Sequence, residues 1–175
     1  MQLGNFAVKV TPGREGSSGY VSMSHNSTYT IQLSNFGKLN CDAEIKVDGK
    51  QVGTWRIPPK QSITLERPVH DTGRFTFYQF GTPEAEKVGL IRCPDLGLIS
   101  VLFKPEKLNR FPDVLYQRSP GGTGLSGESE QRFTEVSQLN YDKMAFVSVH
   151  LRLVCDNEEP RPLTPISTPV PPPLE

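Results

Sequence analysis

Apolar and polar side chains alternate one by one along most of the first 155 residues, while apolar residues almost nowhere recur at the three-to-four spacing of a helix. A period of two sends successive side chains to opposite faces of an extended backbone, so the chain is expected to be built from half-buried strands. The clearest run is 144–155, where Ala145, Val147, Val149, Leu151, Leu153 and Cys155 alternate with Phe146, Ser148, His150, Arg152 and Val154. Tyr29, Ile31 and Leu33 alternate in the same way with Thr28, Thr30, Gln32 and Ser34. Further strands are expected within 6–10, 62–65, 74–80, 98–103 and 132–137, roughly eight to ten in all. Helix is expected only at 83–87, where Pro83 suits a first helical position and acids fill the first turn before Gly89.

The firmest local reading concerns 41–57. Asp48-Gly49 is a type I′ hairpin signal, because both turn positions need a positive φ. A two-residue loop sets Val47 opposite Lys50, but strict pairing then throws Trp55 to the wrong face. A bulge at Gly53, with Gly53 and Thr54 together facing Glu44, places Trp55 opposite Ala43 and Ile57 opposite Cys41. Pro58-Pro59 ends the strand because neither residue donates to a ladder.

Proline marks the one boundary. Seven of the sixteen prolines fall within 156–175, a stretch without glycine or aromatic residues, so it cannot build a core and is expected as a disordered, extended tail. The organisation expected is a β-sandwich domain over 1–155 followed by this tail over 156–175. Long excursions between strands and the absence of a central helix argue an all-β fold. The form expected is a single two-layer antiparallel β-sandwich, jelly-roll or immunoglobulin-like, with a closed barrel as the second choice. Residues 104–130 hold one long Gly/Pro-rich loop, and a structureless loop of that length is commonly functional or mobile.

Charge and motif arguments remove several function classes. Nineteen basic residues balance nineteen acidic ones, so nucleic acid is not expected as the main ligand. No apolar run is long enough for membrane insertion, and the first residues lack a signal-peptide pattern, so a soluble cytoplasmic or intracellular protein is expected, with release in a particle left open. The stretch Gly122 to Ser129 superficially resembles a phosphate-binding loop, but Glu128 stands where a lysine must meet the phosphates, and a strand follows instead of a helix. Gly124 to Glu128 misses the last glycine of a nucleophile elbow. Three cysteines and three histidines are scattered without metal-ligand spacing, so neither a metal nor a cofactor is expected. Cys41 and Cys155 read as small hydrophobes in strand faces, able to pair only if their strands are neighbours. His70-Asp71 is an adjacency without demonstrated geometry, and His150 suits hydrogen bonding within or between sheets. No constellation supports an enzyme.

Two functional expectations follow. The first is a non-enzymatic structural or protein-interaction protein, a minor subunit of a larger assembly of virion or appendage type, which engages a protein partner or copies of itself. Its interaction loop is Gly121, Gly122, Thr123, Gly124, Leu125, Ser126 and Gly127, and its interaction tail includes Arg161, Pro162, Pro165, Pro171 and Pro172. The second is a carbohydrate- or small-ligand-binding module drawing on Tyr20, Tyr29, Tyr78, Tyr116 and Tyr141, so a glycan partner stays open. Rings at Phe75, Phe77, Tyr78 and Phe80 occupy both faces of one strand, and a covering segment is expected there. Trp55 is expected as a core anchor, with Arg56 and Arg67 near one rim.

Overall fold

The computed structural model describes residues 1–108, 121–123 and 129–155. Its elements, in chain order, are β1 (Gln2–Leu3), β2 (Phe6–Thr11), β3 (Arg14–Glu15), β4 (Tyr20–Met23), β5 (Ser27–Thr28), β6 (Thr30–Asn35), β7 (Cys41–Val47) and β8 (Lys50–Ile57). Then come β9 (Gln61–Leu65), β10 (Thr76–Phe77), α1 (Pro83–Lys87), β11 (Leu98–Pro105), β12 (Gly121–Thr123), β13 (Phe133–Glu135), a 3-10 turn (Lys143–Ala145) and β14 (Val147–Cys155). The chain is therefore all-β, apart from two short helical pieces.

A four-stranded sheet has the order β1-β2-β6-β9 and a six-stranded sheet the order β3-β4-β14-β11-β7-β8; neither closes into a barrel. Two small ladders, β5 with β10 and β12 with β13, and a single bridge between Glu106 and Tyr141 lie outside these sheets. The ladders are antiparallel except between β4 and β14, where Arg152 to Cys155 run parallel to Tyr20 to Met23. The period-two pattern carries the core as expected: Val8, Val10, Ile31, Leu33 and Leu65 of the smaller sheet join Ala43, Ile45, Val101, Phe103, Val149 and Leu151 of the larger in one buried cluster. Across it the Phe6 and Phe103 rings stack with centroids 4.6 Å apart. Asn35, 1% exposed, ties the sheets together, because its amide donates to the Leu39 and Ile57 carbonyls at 2.8 and 3.0 Å.

The hairpin has the expected ends, with Val47 opposite Lys50, Trp55 opposite Ala43 and Ile57 opposite Cys41. The bulge lies one pair nearer the turn than expected. Gly53 faces Ile45 and Gln51 faces Lys46, leaving Val52 as the additional residue. Val52 is freed because its carbonyl accepts the Val69 N–H at 2.9 Å instead. Gly53 has φ +151°, and a Cβ there would stand 2.4 Å from Val69 Cγ2 and 2.5 Å from the Trp55 ring, so the glycine is required by the bulge and by the ring above it.

Several boundaries differ from expectation for identifiable reasons. The last strand begins at Val147, because the Asp142 carboxylate caps the turn Lys143–Ala145 through the Met144 N–H. Within 74–80 only Thr76–Phe77 pairs as strand. Helix α1 occupies the expected residues, with the Thr82 hydroxyl accepting from the Ala85 N–H. In β14 the mixed face is covered only towards its end, where Arg152 and Val154 are buried, while Ser148 stays exposed. Cys41 and Cys155 cannot pair: β7 and β14 lie on either side of β11, and the two thiols stand at opposite ends of the sheet. All three cysteines are free.

Candidate binding groove

Two strands without a sheet neighbour on one side come together along one flank of the protein. Strand β8 is the outermost strand of the six-stranded sheet and β9 of the four-stranded sheet, and Pro58-Pro59 turns the chain from one into the other. Between them lies a groove of about 960 Å³ lined by Trp55, Ile63, Leu65, Val69, Phe133 and Val136, with Asp42, Arg56, His70, Arg132, Glu135 and Tyr141 along its sides.

A strap, residues 129–141, forms the outer wall of this groove, and polar side chains hold it at both ends. At one end the Ser129 hydroxyl donates to Glu66 Oε2 at 2.8 Å. The Gln131 amide then occupies the free edge of β9: its oxygen accepts the Glu66 N–H at 3.1 Å, and its nitrogen donates to the Thr64 carbonyl. A side-chain amide thus does what a paired strand would do. Arg67, expected near a rim, is instead fully buried. Its guanidinium donates to the Pro68, Asp71 and Gln131 carbonyls at 2.9, 3.1 and 2.7 Å and lies 4.6 Å from the Phe133 ring centre.

At the other end Arg56 grips Asp42 with two bonds, Nε to Oδ1 at 2.8 Å and Nη2 to Oδ2 at 3.0 Å, and gives a third to the Ser137 carbonyl at 2.6 Å. Arg56, expected near a rim with Arg67, lines the groove with its side chain 9% exposed. Tyr141 donates its hydroxyl to Asp42 Oδ2 at 2.7 Å, and partial burial together with that bond pushes the phenol pKa up to about 12. Midway, Phe133 meets the Trp55 ring edge-on at 5.6 Å. Trp55 is 7% exposed, as expected of a core anchor, yet its indole N–H is buried with no acceptor among the described residues.

The other residues singled out from sequence lie apart from this groove or carry structural roles. Asp71 caps its own turn through the Gly73 N–H at 2.7 Å, so His70-Asp71 forms a turn at the groove margin. His150 Nδ1 lies 3.0 Å from Ser100 Oγ on the neighbouring strand, and burial lowers its pKa. Phe75 stacks on Tyr29 at 5.5 Å; Tyr29, Phe77, Tyr78 and Phe80 line a small pocket of about 60 Å³ together with Leu90 and Leu96. Gly121, Gly122 and Thr123 pair as strand β12 with Glu135, Thr134 and Phe133, which places them on the outer wall of the groove instead of within an unpaired loop. Gly124, Leu125, Ser126 and Gly127 lie outside the described residues, as do Tyr116 and the tail with Arg161, Pro162, Pro165, Pro171 and Pro172. No group of three metal-ligating side chains occurs among the described residues, nor does any helix there have the length and apolarity to cross a membrane.

No protein-family profile matches the chain, and no curated protein or solved structure shows significant similarity to it.

Proposed function

We propose that this chain is a non-enzymatic protein-interaction module with a two-layer sandwich architecture, and that the groove between β8 and β9 receives an extended segment of a protein partner. The single observation that carries this reading is the apolar trough running beside β8, the outermost strand of its sheet, since extended peptides gain main-chain bonds from a sheet edge and specificity from side-chain pockets, while the β9 edge is held by Gln131. A role as a minor subunit of a larger assembly, of virion or appendage type, is the form such binding takes if the partner is another structural chain. The compartment proposed is intracellular, with release in a particle as the alternative.

A second reading, a carbohydrate- or small-ligand-binding module, draws on the groove volume, which suits a small molecule, and on the rings of Trp55, Phe133 and Tyr141. Selection from a displayed library of random extended peptides, run beside a glycan array, separates the two. The interaction reading expects a family of related peptides whose binding is lost on Val136→Asp, a change at an exposed groove residue outside the core. Glycan binding lost on the same substitution, with no peptide selected, favours the second reading instead.

A further inference from the structure

We infer that the small pocket beside β10 binds an alkylated ammonium group, held among aromatic rings against the Asp48 carboxylate. The pocket shares no residue with the groove, and the inference stands apart from what the groove receives. Its walls converge from distant parts of the chain: Tyr29 between β5 and β6, Asp48 in the β7–β8 turn, Phe77 of β10 with Tyr78 and Phe80 after it, and Arg152 of β14. The rings of Phe77, Tyr78 and Phe80 are half-buried. Tyr29 is only 4% exposed and stacks on Phe75, yet its hydroxyl makes no hydrogen bond among the described residues. That hydroxyl is not sealed in the interior either, which leaves it open to the pocket that Tyr29 lines. Asp48 commits Oδ1 to the Gly97 N–H at 2.7 Å, and its Oδ2 has no partner among the described residues.

Charge and size select the ligand. Asp95 lies against the Asp48-Gly49 turn, where a Cβ on Gly49 would meet its Oδ2 at 2.8 Å, and its Oδ1 is buried without a partner among the described residues. Burial raises the Asp48 carboxyl, and Asp95 reinforces that. Against these two acids stands one buried guanidinium, Arg152, which donates to the Leu96 and Pro94 carbonyls at 2.6 and 2.9 Å. Lys50 also acts on Asp48, but it is exposed and screened by water and salt. The buried charges described here therefore favour one added cation, which would offset the desolvation of Asp48. Size narrows the class: at about 10–15 Å³ for each water-sized group, a pocket of about 60 Å³ takes roughly four to six heavy atoms, and a sugar with its hydroxyls is about twice that. A primary ammonium carries three donors that all need acceptors. Alkylation replaces them with methyl groups that suit Phe77, Tyr78, Phe80 and Leu90, while the ring faces attract the charge. A tertiary head keeps one N–H for Asp48.

The test is a titration of the full chain followed by NMR at the Gly97 amide, whose N–H is bonded to Asp48. Choline is expected to shift this resonance saturably, and 3,3-dimethylbutan-1-ol, which has the same shape without the charge, should bind at least about tenfold more weakly. Asp48→Asn keeps an oxygen for the Gly97 N–H and removes the charge, so it should weaken choline binding about tenfold in a folded chain. Tyr29→Phe keeps the stack on Phe75 and should weaken it about threefold. Phosphatidylcholine vesicles and a short peptide carrying trimethyllysine identify the source of the head: tighter binding of one of them than of choline names a membrane surface or a modified protein, and tighter binding of neither names a free small molecule. No saturable shift with choline, vesicle or peptide overturns the proposal. So does a neutral analogue that binds as well as choline, or choline binding indifferent to Asp48→Asn.

Discussion

A methyl group at position 53 would have nowhere to go. The bulge holds Gly53 at positive φ with the Val69 methyl on one side and the Trp55 ring on the other, both closer than any Cβ tolerates. Gly53→Ala should therefore cost about 3 kcal/mol, combining overpacking with backbone strain, and should displace the Trp55 ring that lines the groove. Urea unfolding monitored by the fluorescence of this sole tryptophan reads both effects; a loss below ~1 kcal/mol would show that the wall yields without strain. Asp48, in the same hairpin, makes a separate prediction. Burial raises its carboxyl above the ordinary 3.8 and is the largest influence, opposed by the Gly97 N–H, Lys50 and Arg152 and reinforced by Asp95. The folded chain thus keeps a proton that the unfolded chain has already released. Stability from this group is full below the ordinary value and declines as pH rises through the folded-state value. Asp48→Asn keeps an oxygen for the Gly97 N–H and suits the φ of +51°. It should raise the melting temperature at neutral pH, with the gain shrinking in acid; a variant less stable than the parent at neutral pH contradicts this.

The strap shows what a single element contributes and why it escapes a reading by pattern. The hairpin register and helix α1 are legible because turn residues, glycine and alternation act over a few positions. The bonds that tie the strap to the sheets are not: Arg67 to the Gln131 carbonyl and Gln131 to Glu66 and Thr64 join residues 64 to 67 positions apart and run between side chain and backbone, which leaves no periodicity to read. The burial of Arg67, expected near a rim because it lies beside Pro68, depends on the Gln131 carbonyl and the Phe133 ring, which only folding brings to it. The groove is hidden for the same reason, because it exists only where two edge strands and the strap meet. Arg67→Ala would leave the Pro68, Asp71 and Gln131 carbonyls without this donor and uncover Phe133, at a cost of about 3 kcal/mol. If the strap also needs this anchor, hydrogen exchange should rise across 129–138 while β11 and β14 stay protected. Uniform acceleration throughout the chain would mean that the strap unfolds only with the whole.

On the scale of the whole molecule, alternation announces strands and a shared core, but it does not choose partners. The parallel pairing of β4 with β14 brings together residues more than a hundred positions apart, a closure no local signal encodes. The boundary expected at 155 rests on composition alone, because 156–175 holds seven of the sixteen prolines and neither glycine nor aromatic residue. The hydrophobic residues buried among those described run from Phe6 to Val154. A chain ended after Asp156 should then unfold in dilute urea titrations at the same midpoint and with the same slope as the full chain, because the slope follows the surface exposed on unfolding. A shortened chain with a shallower slope at high dilution would instead mean that the tail contributes buried surface to its own fold, and the division at 155 would be wrong.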